Sequence, residues 1–554
     1  MTLSLAIEDY VAIGVMLVVS AAIGLYFRFS GDRQKTMNEF LMGGKNMSIM
    51  PVAFSLMATF MSSIAIIGIP AEIYMYGMQM TVWAIGLPFG CAIASYACLP
   101  AYYDLNVSTA YEYLEMRFGK TTRKVAAFTF IIRSILYIAV VLYSPSLALN
   151  AVTSLSTWTS ILSLSAVCIF YCSLGGLKAV LWTDVFQATL MFVAVASVVV
   201  KGALDVGFID LIDITAKGER MTFFNMSPSL TERYTFWNTF VSGLFFGFES
   251  FGTNQAQVQR FLSVGNLRKA QRAMFLSVIL TVIFKVFCSL SGMVLYGIFF
   301  DCDPMQNPAV HLSSPDQMMP YSILKLLSNV VFLPGLCIAG MFSGALSSVS
   351  SSLNSMTAVT MEDFIRPHCH CKIFTEKWMS RVAKLLAIVF GGLSLLVILC
   401  VVNFRGVIEA SHVLNTIPIG ALAGVYVLAM FTTTANEPGI LIGFVSGITV
   451  HAWIAIGAYL TKVKIAPLPR SIAGCPAFTN GTSLDENFPL FGQNVSSSFV
   501  TEAGNIVEIV SEESRYIFPL YTVSFLWFPV IGMIVSMIVG YLASFLIGEE
   551  NYFL

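Results

Sequence analysis

Polar groups interrupt an otherwise apolar sequence in three places, and the first of them lies between residues 55 and 70. This stretch puts Thr59, Ser62 and Ser63 in the middle of an apolar run, shortly before a glycine and a proline. We expect a helix with this composition to unwind. Unwound carbonyl groups inside a membrane need a polar partner, which is either a bound cation or a neighbouring packed helix.

The second stretch, residues 245–255, contains an acidic residue between two glycines. Gly247, Glu249 and Gly252 break what would otherwise be an aromatic-rich membrane helix. Interrupted helices in corresponding halves of a transporter indicate a binding site near the bilayer midplane. The separation of the two interrupted runs suits a repeated unit of five helices.

The third stretch, residues 342–354, consists mostly of serine. Gly344, Ser347, Ser348 and Ser351 recur at helical spacing and therefore share one face of a helix. One interpretation is close helix packing, with each hydroxyl bonded back to its own helix. The other is a sodium site, because adjacent hydroxyls opposite unwound carbonyls offer the neutral oxygen ligands that a hard cation prefers.

The composition of the chain shows which elements must position these groups. Of 554 residues, 57% are hydrophobic and 11% are charged, whereas soluble domains carry about 25% charged residues. This excludes a cytoplasmic enzyme, a disordered chain and a secreted disulfide scaffold, and it indicates an all-α polytopic protein in a lipid bilayer. The net charge of −1 gives no reason to expect a nucleic-acid partner.

Apolar runs long enough to cross a membrane recur along the whole chain. The first, Val11 to Phe27, follows acidic residues and precedes no cleavage site, so we expect a retained helix rather than a signal peptide. We predict thirteen spans in all, of which the long run 321–356 also includes a re-entrant or surface segment. The remaining runs are 48–76, 80–102, 125–150, 158–177, 183–203, 235–256, 274–300, 382–402, 409–431, 437–460 and 518–546.

The distribution of basic residues predicts the orientation. With the N-terminus outside and the C-terminus inside, most of the 30 lysines and arginines fall in cytoplasmic connections, Arg260 among them. The longest outside loop, 461–517, contains two N-glycan acceptor sequences, at Asn480 and Asn494. Cys475 lies in this loop and Cys302 in another outside loop, so we predict a disulfide between them.

Alternating His and Cys residues at 368–371 do not have the paired spacing of a structural zinc site. We therefore expect no metal ion other than sodium.

Several long sequence motifs resemble those of the sodium/solute symporter family. The likeness is strongest to the branch that contains sodium-coupled monocarboxylate, multivitamin and iodide transporters, and it covers about residues 5–460. The matching segments are 109–118, 142–150, 175–187, 254–260, 301–304, 314–317 and 359–367.

The resemblance implies a LeuT-like core of two inverted five-helix repeats and sodium-driven alternating access. It predicts an extra N-terminal helix and cytoplasmic loop (1–46), repeat 1 (47–203), an extracellular loop (204–234), repeat 2 (235–431), a peripheral helix (432–460), an extracellular glycosylated loop (461–517), and a last helix with a short cytoplasmic tail (518–554).

The resemblance also assigns a sodium site. Its ligands would be the carbonyl groups of Ala58, Met61 and Gly344 and the hydroxyl groups of Ser347 and Ser348. Asp184 falls in a family signature near the cytoplasmic exit, where it would guide the departing cation or form an ion pair with a nearby base. The alternative is a helix-end charge that reaches into the headgroup region.

The solute pocket is less well defined by the likeness. Phe60 and Tyr143 are candidate walls, and Ala65 replaces a polar residue of the iodide carrier. We expect Glu249 to face the pathway or to pair with a base such as Lys285 or His412, since an unpaired acid inside a membrane is costly. His412 and Asn415 complete the candidates, in a stretch that departs from the usual pattern of the branch.

These features predict a plasma-membrane symporter that imports sodium with a small organic solute, most simply a monocarboxylate or a vitamin-like anion. A non-transporting sensor of solute or sodium on the same scaffold is the alternative. An enzyme is a poorer hypothesis, because no paired intramembrane aspartates and no zinc-protease motif occur in the sequence. A channel is also weaker, because no filter loop repeats.

Overall fold

A computed structural model describes residues 5–30, 36–150, 153, 155–307, 310, 312, 314–368, 376–401, 407–461, 466–475 and 518–548. The regular elements in these residues are helices. In chain order the α-helices are α1 (Ile7–Phe29), α2 (Met37–Met42), α3 (Ile49–Phe60), α4 (Ser63–Tyr76), α5 (Trp83–Ile93), α6 (Leu99–Asp104), α7 (Ala110–Arg117), α8 (Lys120–Asn150), α9 (Thr157–Val206), α10 (Phe208–Lys217), α11 (Phe236–Phe248), α12 (Gln255–Leu262), α13 (Leu267–Ile298), α14 (Met318–Leu327), α15 (Leu333–Val359), α16 (Glu376–Val401), α17 (Val407–Phe431), α18 (Glu437–Leu460) and α19 (Phe528–Ile547).

Within the described residues, nine helices are long and apolar enough to cross a membrane. The bent pair α3 and α4 adds a tenth if the two halves count as one span. Helix α9 has 50 residues and would reach about 75 Å if straight, far more than the roughly 30 Å of a bilayer core. Gly176, with φ 55° and ψ −156°, breaks α9 at the end of the first of the two spans predicted there, 158–177 and 183–203.

Both interruptions predicted from the sequence are present. Helix α3 ends at Phe60, Met61 and Ser62 are extended, and α4 leaves at an angle of 55°. Pro70 lies inside α4 without ending it, so the break belongs to the hydroxyl-rich segment before it. In the second interruption, α11 passes into a π-turn at Glu249–Thr253, and an extended Asn254 caps α12.

Glycines bring α5 and α11 into close contact. A Cβ atom at Gly90 would lie 1.9 Å from the carbonyl oxygen of Leu244, and one at Gly243 would lie 2.2 Å from that of Trp83. Small residues permit this backbone approach between membrane helices. The contact fixes Trp83 beside the interrupted helix pair α11–α12.

Helix α15 occupies the centre of the fold, where it packs against α9, α8, α1, α4 and α3. Nearly all of its residues are buried. The long apolar run expected at 321–356 is indeed two elements, because α14 ends at Leu327 and α15 begins only after Phe332, whose φ is +67°. The serine-rich stretch therefore lies in the protein interior and not against lipid.

The segment 466–475 crosses the C-terminal end of α4. Cys475 pairs with Cys302 in disulfide geometry, with Cα atoms 4.8 Å apart. Beside them, Arg470 forms an ion pair with buried Asp303 at 2.8 Å, and the Tyr74 hydroxyl of α4 donates to the same carboxylate at 2.9 Å. The predicted glycan acceptors Asn480 and Asn494 lie outside the described residues.

Candidate functional site

The serine-rich helix touches the break between α3 and α4. A Cβ atom at Gly344 would lie 2.8 Å from the amide nitrogen of Ser63 and 3.1 Å from the carbonyl carbon of Ser62. Only a residue without a side chain permits two backbones to approach so closely. Two segments that are far apart in the sequence therefore meet in the middle of the fold.

The break exposes backbone oxygens at this contact. The Met61 amide donates to Met57 at 2.8 Å in the last turn of α3, and the Ala65 amide donates to Ser62 at 3.0 Å in the first turn of α4. The Ser62 amide makes no backbone hydrogen bond, so the carbonyl of Ala58 lacks its usual helical donor. Ala58 and Met61 are both buried, and carbonyls of this kind are available as ligands.

The hydroxyl groups of the serine stretch divide into two sets. Four of them donate to a carbonyl three or four residues back in their own helix, over 2.6–3.1 Å: Ser350, Ser351, Ser352 and Ser355. Ser343, Ser347 and Ser348 are equally buried, yet their hydroxyl oxygens have no hydrogen-bond partner within ordinary distance, although Ser347 also interacts with the Asp184 carboxylate. Back-bonding explains the first set but not the second.

These donors suit an alkali cation. Carbonyls at the break and two adjacent hydroxyls on α15 are neutral oxygen ligands without a sulfur or an imidazole among them, which is the ligand chemistry of hard cations. The part of the chain that the structure describes contains no cluster of His, Cys, Asp or Glu able to hold another metal ion. The structure thus places Gly344 against the break between α3 and α4. Sodium binding by Ala58, Met61, Gly344, Ser347 and Ser348 stays a prediction.

One helical turn from these oxygens, along both α3 and α15, lies a buried ion pair. The Arg260 guanidinium contacts the Asp184 carboxylate at 3.3 Å, and both side chains are fully buried. Ser55 of α3 donates to the same carboxylate and accepts from Arg260 Nε at 2.7 Å. Arg260 also donates to Ser351 of α15. The pair therefore joins α3, α9, α12 and α15.

This network corrects two expectations. Asp184 is not a helix-end charge that reaches the headgroups, because its exposed fraction is zero. Arg260 is not in a cytoplasmic loop, because α12 continues the interrupted span as far as Leu262. The predicted span stopped at residue 256 because Gln257, Gln259 and Arg260 make that helix too polar to be recognised by hydropathy.

A second buried ion pair holds Glu249. Its carboxylate lies 3.3 Å from Arg133 of α8 and accepts from the Ser250 hydroxyl at 2.9 Å. Arg133 also donates to the side-chain oxygen of Asn415 at 3.2 Å. Glu249 is thus neutralised by Arg133, so its charge does not oppose an anionic solute. His412 lies in α17, but its side chain is outside the described residues.

Aromatic rings adjoin the break. Phe60 stacks on Trp83 with ring centres 5.8 Å apart, and it lies 5.6 Å from Phe251 in the π-turn. Phe60 and Tyr143 are both half-buried and pack against the hydrophobic core. Tyr143 belongs to α8, which contacts the break. The Ser63 hydroxyl donates to the carbonyl of Val141, two residues before Tyr143, at 3.3 Å.

One face of α4 is only partly covered. Ala65 is half-buried, a Cβ atom at Gly68 would meet nothing within 4 Å, and Glu72 is half-buried further along the same face. At the end of this face Arg233 binds Glu72 at 2.7 Å and covers the ring of Tyr76 at 4.2 Å. This face of α4 is therefore incompletely packed from the C-terminal end of the helix to the break.

Sequence patterns did not identify the basic partners in these sites. Arg133 was assigned only to a helix and Arg260 to a loop, whereas the structure pairs each with a buried acid. Charge balance is the sequence signal that could identify them, because an acid buried in a membrane requires a base. Each arginine in or near a span is therefore a candidate partner for Asp184 or Glu249.

Enlarging Gly344 should separate the two halves of the site. In the Gly344→Ala variant the new methyl group meets the backbone of Ser62 and Ser63, which cannot rotate away. Such overpacking costs about 1–3 kcal/mol, so we expect sodium-dependent uptake to fall by about tenfold or more. Gly392→Ala is the matched control, since a Cβ atom there meets nothing within 4 Å. Equal uptake by both variants, at equal surface levels, would contradict the contact.

Three comparisons agree with this architecture. The family model described as "Sodium:solute symporter family" matches residues 40–447. Human sodium-coupled monocarboxylate transporter 1 is 36% identical over 552 residues, which cover 98% of this chain and 88% of the relative. A putative sodium-dependent multivitamin transporter of Drosophila melanogaster is 34% identical over 542 residues, which cover 97% of this chain and 86% of that protein.

The fold is also similar to that of a solved structure. A sodium-coupled sialic acid symporter in a substrate-bound outward-open state superposes with a TM-score of 0.76 and 24% sequence identity, over 98% of each chain. At this level of identity the likeness concerns the fold alone.

Proposed function

The chain belongs to the sodium:solute symporter family, and from this premise we propose that it imports a small organic anion together with sodium by alternating access. It is a sodium-coupled membrane transporter and not an enzyme. The observation that carries the proposal is the contact of Gly344 with the break between α3 and α4, next to the two buried hydroxyls of Ser347 and Ser348.

Sodium binding would join the two repeats of the transporter. The ligands in this proposal are the carbonyls of Ala58, Met61 and Gly344 and the hydroxyls of Ser347 and Ser348. A cation held between the break and α15 stabilises the arrangement in which the two segments touch. When the ion leaves, the carbonyls and hydroxyls lose their common partner, so the preferred conformation changes with occupancy.

We infer an orientation with the N-terminus outside and thirteen crossings. The count treats α3–α4 and α11–α12 as one interrupted span each and α9 as two spans. In this orientation the Asp184–Arg260 pair lies on the cytoplasmic side of the sodium ligands, and the Glu72–Arg233 pair lies on the extracellular side. One ion pair would then close each end of the path, and Asp184 would receive the cation on its way to the cytoplasm.

A membrane potential supplies much of the driving force. One sodium ion that moves through 100 mV contributes about 2.3 kcal/mol, which is sufficient to concentrate a neutral solute by more than tenfold. For a monovalent anion the charge of the solute cancels that of one sodium, so uphill transport needs the sodium concentration gradient or a second ion. Monocarboxylates and vitamin-like anions are favoured as solutes, because two of the similar proteins carry those names.

An uptake screen tests the proposal. We expect cells that express the chain to accumulate at least one radiolabelled anion from lactate, pyruvate, butyrate, nicotinate, biotin and pantothenate in sodium medium. Accumulation should fall to the background of untransfected cells when choline replaces sodium. Glucose and iodide serve as comparison solutes. A protein that reaches the surface and accumulates none of the anions above this background would contradict the proposal, and ligand-dependent currents without uptake would favour a sensor.

A further inference from the structure

Lys285 is a buried cation in the middle of α13 for which the described residues provide no acidic partner. Its exposed fraction is 3%, and it makes no hydrogen bond or ion pair with them. The ammonium nitrogen lies 3.6 Å from the centre of the Trp83 ring. A cation–π contact stabilises an ammonium group but does not replace a counter-ion inside a membrane.

The helices around Lys285 explain why no acid reaches it. Helix α13 packs most extensively against α3, α4 and α9, then against α10, α5 and the turn before α5, with smaller contacts to α6, α12 and α14. Helix α10 meets α13 at Gly297, 12 residues beyond Lys285. Residues 49–60, 78–93 and 267–298 contain no Asp or Glu. The acids of α4 and α9 already have basic partners of their own, which are Arg233 for Glu72, Arg260 for Asp184 and Lys201 for Asp205.

The surroundings of Lys285 are suited to an organic anion. The Trp83 ring contacts both Lys285 and Phe60, and its centre lies 5.8 Å from the centre of the Phe60 ring. Phe60 lies at the edge of the break between α3 and α4. One turn along α13, the Ser289 hydroxyl accepts from the Thr81 hydroxyl at 3.2 Å. A cation, two stacked aromatic rings and a pair of hydroxyls thus lie together beside the candidate sodium ligands.

We propose that Lys285 binds the carboxylate of the transported solute, while Trp83 and Phe60 cover its apolar body. This inference rests on the proposed function, and it specifies the solute as a small monocarboxylate with an apolar part. The carboxylate provides the charge that the protein itself does not place beside Lys285. Because Phe60 is the last residue of α3, solute packed on its ring also contacts the segment that would hold sodium.

Purified protein in sodium buffer provides a test that does not depend on transport. Thermal unfolding is measured with lactate, pyruvate, butyrate and nicotinate, each beside its uncharged amide. We expect at least one acid, but not its amide, to stabilise the wild-type protein. Lys285→Met should raise the concentration needed for half of this stabilisation by about 30-fold or more, as expected when one partner of a buried charge pair is removed.

Two further variants separate binding from folding. Lys285→Arg keeps the charge and should retain the preference for the acid. Lys325→Met removes another lysine that covers an aromatic ring, Phe299 at 4.5 Å, and should bind the acid like the wild type. The inference is overturned if no acid stabilises the wild type, or if Lys285→Met responds like it. If the acids bind through Lys285 yet none is accumulated by cells, the proposed transport fails while this site stands.

Discussion

Replacing Ser348 with alanine is expected to raise the sodium concentration for half-maximal transport by about 10- to 100-fold. A ligand oxygen on a cation contributes about as much as a hydrogen bond to a charged group, roughly 1.5–3 kcal/mol. The Ser348 hydroxyl is buried and free of hydrogen bonds, so its loss breaks no other described contact. The measurement is solute uptake across a series of sodium concentrations at constant ionic strength.

Ser352 provides the matched control for this substitution. It lies one turn further along α15, and its hydroxyl donates to the Ser348 carbonyl at 2.9 Å. Ser352→Ala therefore removes a buried hydroxyl from the same helix without removing a proposed ligand. We expect its sodium dependence to stay within about twofold of the wild type, a change of no more than about 0.4 kcal/mol. Similar shifts in both variants would mean that the effect concerns helix packing and not sodium.

The Arg260→Leu variant is expected to lose about 3–5 kcal/mol of stability, because it leaves the carboxylate of Asp184 buried without a cation. Ser55 would remain as a hydrogen-bond donor, but a hydroxyl cannot compensate a full charge. Thermal unfolding of the purified protein in detergent measures the loss. Arg268→Leu is the control, since Arg268 is exposed in the first turn of α13.

Removing both charges should separate stability from transport. In the double variant Asp184→Asn with Arg260→Gln, no buried charge remains and both side chains still form hydrogen bonds, so most of the thermal stability should return. Transport should remain impaired, because the proposed exit path then lacks its acid. Recovery of both properties would assign the pair a purely structural role. A single Arg260→Leu variant as stable as the wild type would contradict the buried ion pair itself.

The sequence was sufficient to predict the interruptions and the serine-rich helix. Hydroxyl groups and glycines in the middle of apolar runs are visible without a structure, because membrane helices otherwise have little use for them. The break at Met61–Ser62, the π-turn at Glu249–Thr253 and the burial of α15 all follow these local signals. Spacing along one helix also indicated that Ser347 and Ser348 lie beside Gly344.

Partners across the fold were not predictable in the same way. Glu249 was expected to pair with a base such as Lys285 or His412, but its partner is Arg133, which is 116 residues away and which nothing in the local sequence selects. Arg260 was assigned to a loop because α12 is too polar for a hydropathy pattern to include it in a membrane span. Which serines bond back to their own helix depends on side-chain rotation, so only coordinates separate Ser348 from Ser352. The contact between Lys285 and Trp83 likewise depends on how α13 and α5 pack.

Direct binding of radioactive sodium to purified protein tests the central claim without any assumption about the solute. We predict saturable binding of ²²Na⁺ to the wild type and to Ser352→Ala, with binding weakened by about 10-fold or more in Ser348→Ala. Binding by Ser348→Ala that matches the wild type in affinity and amount would show that the ion is held elsewhere.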